Sequence, residues 1–125
     1  MVKALFDTNI LIDYLNGIEN AQQELSLYAD KAISVITWME VLVGTNEKTD
    51  KETRNWLQSS FNVIPLDEAI SNSSIEIRKI DKIKLPDAII YATALVSTRL
   101  LVTRNTKDFS QKDPMVRLPY SLLNP

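Results

Sequence analysis

The tightest constraint on this chain is an alternation. Short, mostly apolar runs at residues 2–6, 32–36, 61–66 and 100–103 are separated by stretches whose apolar residues recur at helical spacing. Runs of that kind read as strands buried on both faces. Strands that alternate with helices build a parallel sheet covered on each side by helices. The first helix is marked by Ile10, Leu11, Tyr14 and Leu15 and ends near Gly17; a second is predicted over 19–29, with Leu25, Tyr28 and Ala29 on one face. Further helices are predicted over 37–43, closed by Gly44, and over 48–59, which is polar. A long helix over 67–83 turns Ile70, Ser73, Ser74, Ile77 and Ile80 inward. The last spans 86–98 and opens on Pro86, a position where proline is tolerated. Residues 116–118 are read as a candidate short fifth strand. At 125 residues the chain is expected to make a single domain, 1–125.

Composition narrows the chemistry further. The chain has no cysteine and no histidine. Disulfides, thiolate metal sites, cysteine nucleophiles, Ser-His-Asp triads and histidine-ligated zinc are therefore excluded. Any metal must be held by oxygen, which favours magnesium, manganese or calcium. The net charge of −2 gives no broad electrostatic footprint for nucleic acid, but it is uneven: residues 1–62 hold 5 Lys+Arg against 9 Asp+Glu, and 63–125 hold 9 against 7. The positive surplus includes Lys79, Lys82, Lys84, Arg99, Arg104 and Lys107, either a solvated face or the rim of a phosphate-binding groove. With only two glycines, Gly17 and Gly44, there is no phosphate-cradling glycine loop. No signal-type apolar segment opens the chain, and no apolar run approaches membrane-spanning length, so a soluble cytoplasmic protein is expected.

In a parallel sheet with right-handed crossovers, all strand C-termini share one edge, and ligands bind beyond it. Four acids fall at that edge. Asp7 directly follows the first strand, and Glu40 belongs to the helix after the second. Asp87 sits in the first turn of the apolar helix, and Asp108 lies past the fourth strand. Each has a local explanation. Asp7 can cap a helix, Thr37 and Glu40 have capping-box spacing, Asp87 can complement a helix dipole, and Asp108 can close a turn. Together they form a different object, because carboxylates gathered in one cleft repel unless a cation intervenes. A divalent ion relieves that repulsion and can drive displacement at phosphorus. Metal-assisted phosphodiester hydrolysis is the reaction such a set suits. Asp67 reads as a helix cap, Asp13 as a residue of an exposed helix face, and Asp81 to Lys84 as a solvated helix end.

Four segments carry a resemblance: Phe6-Asp7-Thr8-Asn9-Ile10-Leu11-Ile12, Thr37-Trp38-Met39-Glu40-Val41-Leu42-Val43-Gly44, Leu85-Pro86-Asp87-Ala88-Ile89-Ile90-Tyr91-Ala92 and Leu101-Val102-Thr103-Arg104-Asn105-Thr106-Lys107-Asp108-Phe109. In this order the chain resembles the PIN-domain ribonucleases, specifically VapC-type toxins of toxin–antitoxin pairs. The resemblance implies a three-layer α/β/α sandwich around a central parallel sheet of four to five strands. It also implies Mg2+ or Mn2+ dependence and endonucleolytic cleavage of RNA. Asp7, Glu40 and Asp87 take the metal-site roles. Asp108 supplies the fourth charge, because Asn105 is neutral where many relatives carry an acid. Thr8, Asn9, Thr103 and Asn105 support the site, and Arg104 and Lys107 are candidates for substrate phosphate. The implied partners are RNA and a VapB-like antitoxin whose C-terminal segment covers the acidic pocket. A homodimer is also implied. Ile12, Leu15 and Trp38 serve either as core or as the antitoxin's groove, with core the first reading.

Two alternatives remain at this level. One is a catalytically inactive PIN-like binding module. The other is a receiver-type phosphoacceptor domain using Asp67 as acceptor, Asp7 as a magnesium ligand and Lys107 as phosphate contact, which leaves Glu40 and Asp87 without a role. A haloacid-dehalogenase-type phosphatase wants a second aspartate where the chain has Asn9.

Overall fold

The computed structural model describes residues 1–122. Among them, β1 (Lys3–Phe6), β2 (Asp30–Ser34), β3 (Asn62–Ile64), β4 (Leu100–Val102) and β5 (Val116–Arg117) form one parallel sheet in the order β3-β2-β1-β4-β5. The central position of β1 explains its composition: Ala4, Leu5 and Phe6 are fully buried because helices cover both faces. Side chains alternate across the sheet. Ala4, Phe6, Ile33 and Val102 face one helical layer, while Leu5, Ala32 and Leu101 face the other. The first layer contains α1 (Thr8–Leu15), α2 (Glu19–Ser26), α3 (Val35–Val43) and α4 (Asp50–Ser60); the second contains α5 (Glu68–Asp81) and α6 (Leu85–Val96). This is the expected three-layer α/β/α sandwich.

Aromatic rings fill the space under the first layer. Phe6 meets Tyr28 and Phe61 edge-on, and Trp56 bridges Phe61 to Tyr14. Such pairs add to simple burial, and they anchor the end of β1 from which the candidate site projects.

Several local expectations need correction. The second strand stops at Ser34 and not at residue 36, because the Ser34 hydroxyl accepts from the Ile36 N–H at 3.1 Å and caps α3. Thr37 is therefore a buried residue inside the helix and forms no capping box with Glu40, which lies in the second turn. The third strand ends at Ile64, since Pro65 has no N–H to extend a ladder. Ile80 is 73% exposed and does not face inward; Ala29 lies beyond the end of α2 and is exposed. Asp13 is buried, not on an exposed face. Replacing Ser34 by Ala should cost about 1 kcal/mol through the lost cap. Urea unfolding should show a lower midpoint with an unchanged slope; an unchanged midpoint would contradict the capping role.

Candidate active site

From β1 the chain builds β2 and β3 on one side, then β4 and β5 on the other. The order reverses between β1 and β4, and in open α/β sheets the crevice at such a switch point is where ligands bind. Asp7 follows β1 and Thr103 follows β4, with the Asp7 N–H donating to the Val102 carbonyl at 2.9 Å. A three-residue turn joins α6 to β4, so α6 runs back along the sheet and delivers its N-terminal turn, with Asp87, to the same edge.

Asp7 is almost completely buried and firmly held. Its Oδ1 accepts from the Thr8 N–H at 2.7 Å, and its Oδ2 accepts from Thr103 Oγ1 at 2.7 Å and Asn9 Nδ2 at 3.2 Å. The Thr8 hydroxyl donates to Glu40 Oε1 at 2.6 Å and lies 3.0 Å from Thr37 Oγ1, tying α1 to α3. Asn105 closes a turn: its Oδ1 accepts from the Lys107 and Asp108 N–H groups, each at 3.1 Å, and its Nδ2 donates to Asp108 Oδ2 at 3.0 Å. The neutral Asn105 thus orients the neighbouring carboxylate.

The four acids sense one another. Burial pushes the Asp7 carboxyl above its ordinary value; hydrogen bonds from Thr103, Thr8 and Asn9 pull it down, and the Glu40 charge pushes it up. Asp87 is raised to about 6, first by burial, then by Asp7, by the Asp108 carboxyl at hydrogen-bonding reach, and by Glu40. None of these leading influences is a cationic side chain. Among the described residues no group of three or more Asp or Glu side chains is arranged so that it could hold a metal ion. The uncompensated repulsion among these oxygen donors suits an ion such as Mg2+, which keeps several waters and takes one or two carboxylates plus substrate oxygens. The donors are all oxygen, the type a hard divalent cation takes.

The raised Asp87 carboxyl has a consequence for stability. The folded protein takes up a proton near pH 6 that the unfolded chain takes up near its ordinary value of 3.8. Metal-free stability contributed by this group is therefore lowest at pH 7 and rises as pH falls toward 5. Allowing for solvent screening, the gain is about 1 kcal/mol. Urea unfolding in chelator at the two pH values should show it in the wild type and not in Asp87→Asn.

Other predicted residues are placed differently. Lys107 is exposed beside Asp108, and Lys84 is exposed where it precedes α6. Arg104 points its guanidinium away into a two-point ion pair with Asp13, at 2.5 and 2.9 Å. Asp67 caps α5 by accepting from the Ile70 N–H at 2.8 Å. The receiver reading fails on strand order as well, since that fold runs 2-1-3-4-5 and this one runs 3-2-1-4-5. Ile12 and Trp38 pack half-buried against the first-layer core, while Leu15 is 44% exposed. A groove of about 410 Å³ lined by Val35, Trp38, Phe61 and Val63 contains no acid. Sequence reasoning missed Asp13 and Tyr120, whose hydroxyl donates to Asp13 Oδ2 at 2.7 Å. The spacing of Asp13 from Ile10, three residues along α1, was the available signal that it faces inward.

Residues 4–113 match the PIN domain family. Ribonuclease VapC1 of Methanocaldococcus jannaschii is 31% identical over 114 residues, covering 87% of this chain and 80% of that protein. Among solved structures, a toxin-antitoxin complex from Klebsiella pneumoniae is similar with a TM-score of 0.88 and 45% identity, covering 96% of this chain and 100% of that one. FitAcB from Neisseria gonorrhoeae is similar with a TM-score of 0.78 and 27% identity, covering 93% and 97%.

Proposed function

The chain belongs to the PIN domain family, and from that premise we propose that it is a metal-dependent endoribonuclease, the toxin of a toxin–antitoxin pair. The observation that supports this is that Asp7 and Asp87, beside the β1/β4 switch point, are both raised by burial and by neighbouring acids, Glu40 for both and Asp108 for Asp87, with no cationic side chain among the leading influences. The similarity to Ribonuclease VapC1 and to a chain of a toxin-antitoxin complex supports the substrate and partner. The partner is a VapB-like antitoxin whose C-terminal segment covers the acids. The 125 residues act as one domain, pair as a homodimer and work in the cytoplasm; among the described residues no helix is long and apolar enough to cross a membrane.

When bound, a divalent Mg2+ or Mn2+ ion supplies charge stabilisation for phosphoryl transfer and acidifies water at the site. Asp7 and Asp87 would hold it, with Glu40 and Asp108 completing the charge. Thr8, Asn9 and Thr103 fix the acids so that little reorganisation accompanies the reaction. The four ion pairs among the described residues all use arginine, and none engages Lys84 or Lys107. Lys84 and Lys107 flank the acids and grip phosphates, the role that Arg104 cannot play while Asp13 holds it.

The test is incubation of the purified chain with structured RNAs, including transfer RNA, with Mg2+ or Mn2+ and with chelator. Metal-dependent fragments are expected. Absence of both fragments and metal-induced stabilisation would favour the inactive binding module. For the lysines, Lys84→Gln/Lys107→Gln should raise KM for RNA about tenfold with kcat nearly unchanged. It should also reduce the slope of log affinity against log salt by roughly 0.7 per lost contact. An unchanged salt slope would remove both lysines from the substrate path.

A further inference from the structure

The Asp13 cluster is expensive to build. Its carboxylate is buried in α1, and a buried ion pair adds little stability compared with apolar packing of the same volume. What such a pair supplies is fixed geometry, and here the geometry leads to the acid site. Asp13 receives three hydrogen bonds: Arg104 Nε at 2.5 Å, Arg104 Nη2 at 2.9 Å and the Tyr120 hydroxyl at 2.7 Å. They join α1, the loop after β4 and the segment after β5. The backbone N–H of the same Arg104 donates to Asn9 Oδ1 at 3.1 Å. With Oδ1 turned to Arg104, the Asn9 Nδ2 faces Asp7 Oδ2 at 3.2 Å and Thr103 Oγ1 at 3.3 Å, so the Arg104 N–H helps to set the amide's orientation. Released from Arg104, the amide would keep only the longer Nδ2 bonds to Asp7 Oδ2 at 3.2 Å and Thr103 Oγ1 at 3.3 Å, and its plane would be less firmly set.

We propose that Asp13, Arg104 and Tyr120 form the positioning element of the acid site, acting through the Arg104 backbone N–H and the Asn9 amide on Asp7. This rests on the metal-site reading above, and it gives the segment after β5 a part in the site although it contributes no ligand. The three are positioning residues, because the side chains of Arg104 and Tyr120 are spent on Asp13 and the link to Asp7 runs through Asn9.

Arg104→Lys keeps the charge but cannot span both Asp13 oxygens. It is expected to weaken Mn2+ binding, read by calorimetry, about 10- to 100-fold, as losses behind a ligand commonly do. kcat should fall with it, and KM for RNA should stay. Tyr120→Phe should act in the same direction and less strongly. Combined with Asn9→Ala, Arg104→Lys should add nothing to the loss from Asn9→Ala alone, since both break one chain. Multiplying effects, or unchanged Mn2+ affinity in Arg104→Lys, would overturn the proposal. A metal-free readout separates it from the metal reading itself. The Asn9 side-chain amide signals in a nitrogen-15 spectrum should shift in Arg104→Lys. They should stay in place in Arg99→Lys, which disturbs the 2.8 Å ion pair to Asp30 where β2 begins. Amide signals that do not move in Arg104→Lys contradict the proposal whether or not the protein binds metal.

Discussion

Asp87→Asn and Asp7→Asn should each lower RNA cleavage by about 10³-fold or more, as removal of a principal electrostatic stabiliser does, while moving metal-free stability in opposite directions. Asp87 is raised by burial and by the charges of Asp7, Asp108 and Glu40, so neutralising it removes repulsion from the folded state. The variant should unfold at a higher urea concentration than the wild type at pH 7 in chelator, by about 1 kcal/mol after discounting for screening. Asp7 accepts from Thr103 and Asn9 on one oxygen and from the Thr8 N–H on the other. An amide there must turn its NH2 toward one of those donors, leaving it without an acceptor at a cost of about 1–3 kcal/mol. Equal loss of activity with opposite stability shifts is the signature of acids gathered for function at the expense of stability. If both variants lost stability equally and kept activity, the acids would be structural.

Arg117→Met should destabilise the protein by about 3 kcal/mol, the lower end for breaking a buried pair, because Arg117 is itself partly exposed. Its guanidinium reaches Glu24 in α2 at 2.5 and 2.9 Å, and the Tyr28 hydroxyl donates to the same carboxylate at 3.0 Å. Glu24 is only 4% exposed, so without Arg117 a charge is left in the interior with one hydrogen bond. The pair also fastens the two-residue β5 to the first helical layer. Urea unfolding should show the loss, and adding Glu24→Gln should recover part of it. A loss below about 0.5 kcal/mol would class the pair with exposed ion pairs.

The legible parts of this molecule are those written in local pattern. The alternation of apolar runs and helical spacing sufficed for the parallel sheet, because β1, β2 and β4 are buried on both faces. Asp7, Glu40, Asp87 and Asp108 could be placed at one edge because each sits a fixed step past a strand or into a helix. Asp7 also bears out its bland reading: it caps α1 and faces the other acids with the same carboxylate. What escaped depends on distant partners. Asp13 meets Arg104 and Tyr120, respectively 91 and 107 residues away, and Glu24 meets Arg117 93 residues away. No spacing rule couples such positions. Arg104 looked available for phosphate because its sequence neighbours border the acids, yet its side chain turns to α1. Thr37 and Glu40 show a local rule overridden, since Ser34 had already capped the helix three residues earlier.

The most direct test is the unfolding midpoint of the wild type against Mn2+ concentration, without RNA, beside Asp87→Asn. It requires no knowledge of the RNA target. Metal bound only to the folded state should stabilise the wild type by about 2.7 kcal/mol at a hundred times its dissociation constant, a rise of roughly 10 °C for a chain of this size. The variant should respond only at far higher metal. A wild-type midpoint indifferent to Mn2+, or an identical rise in Asp87→Asn, would contradict the assignment of these acids as a divalent-metal site.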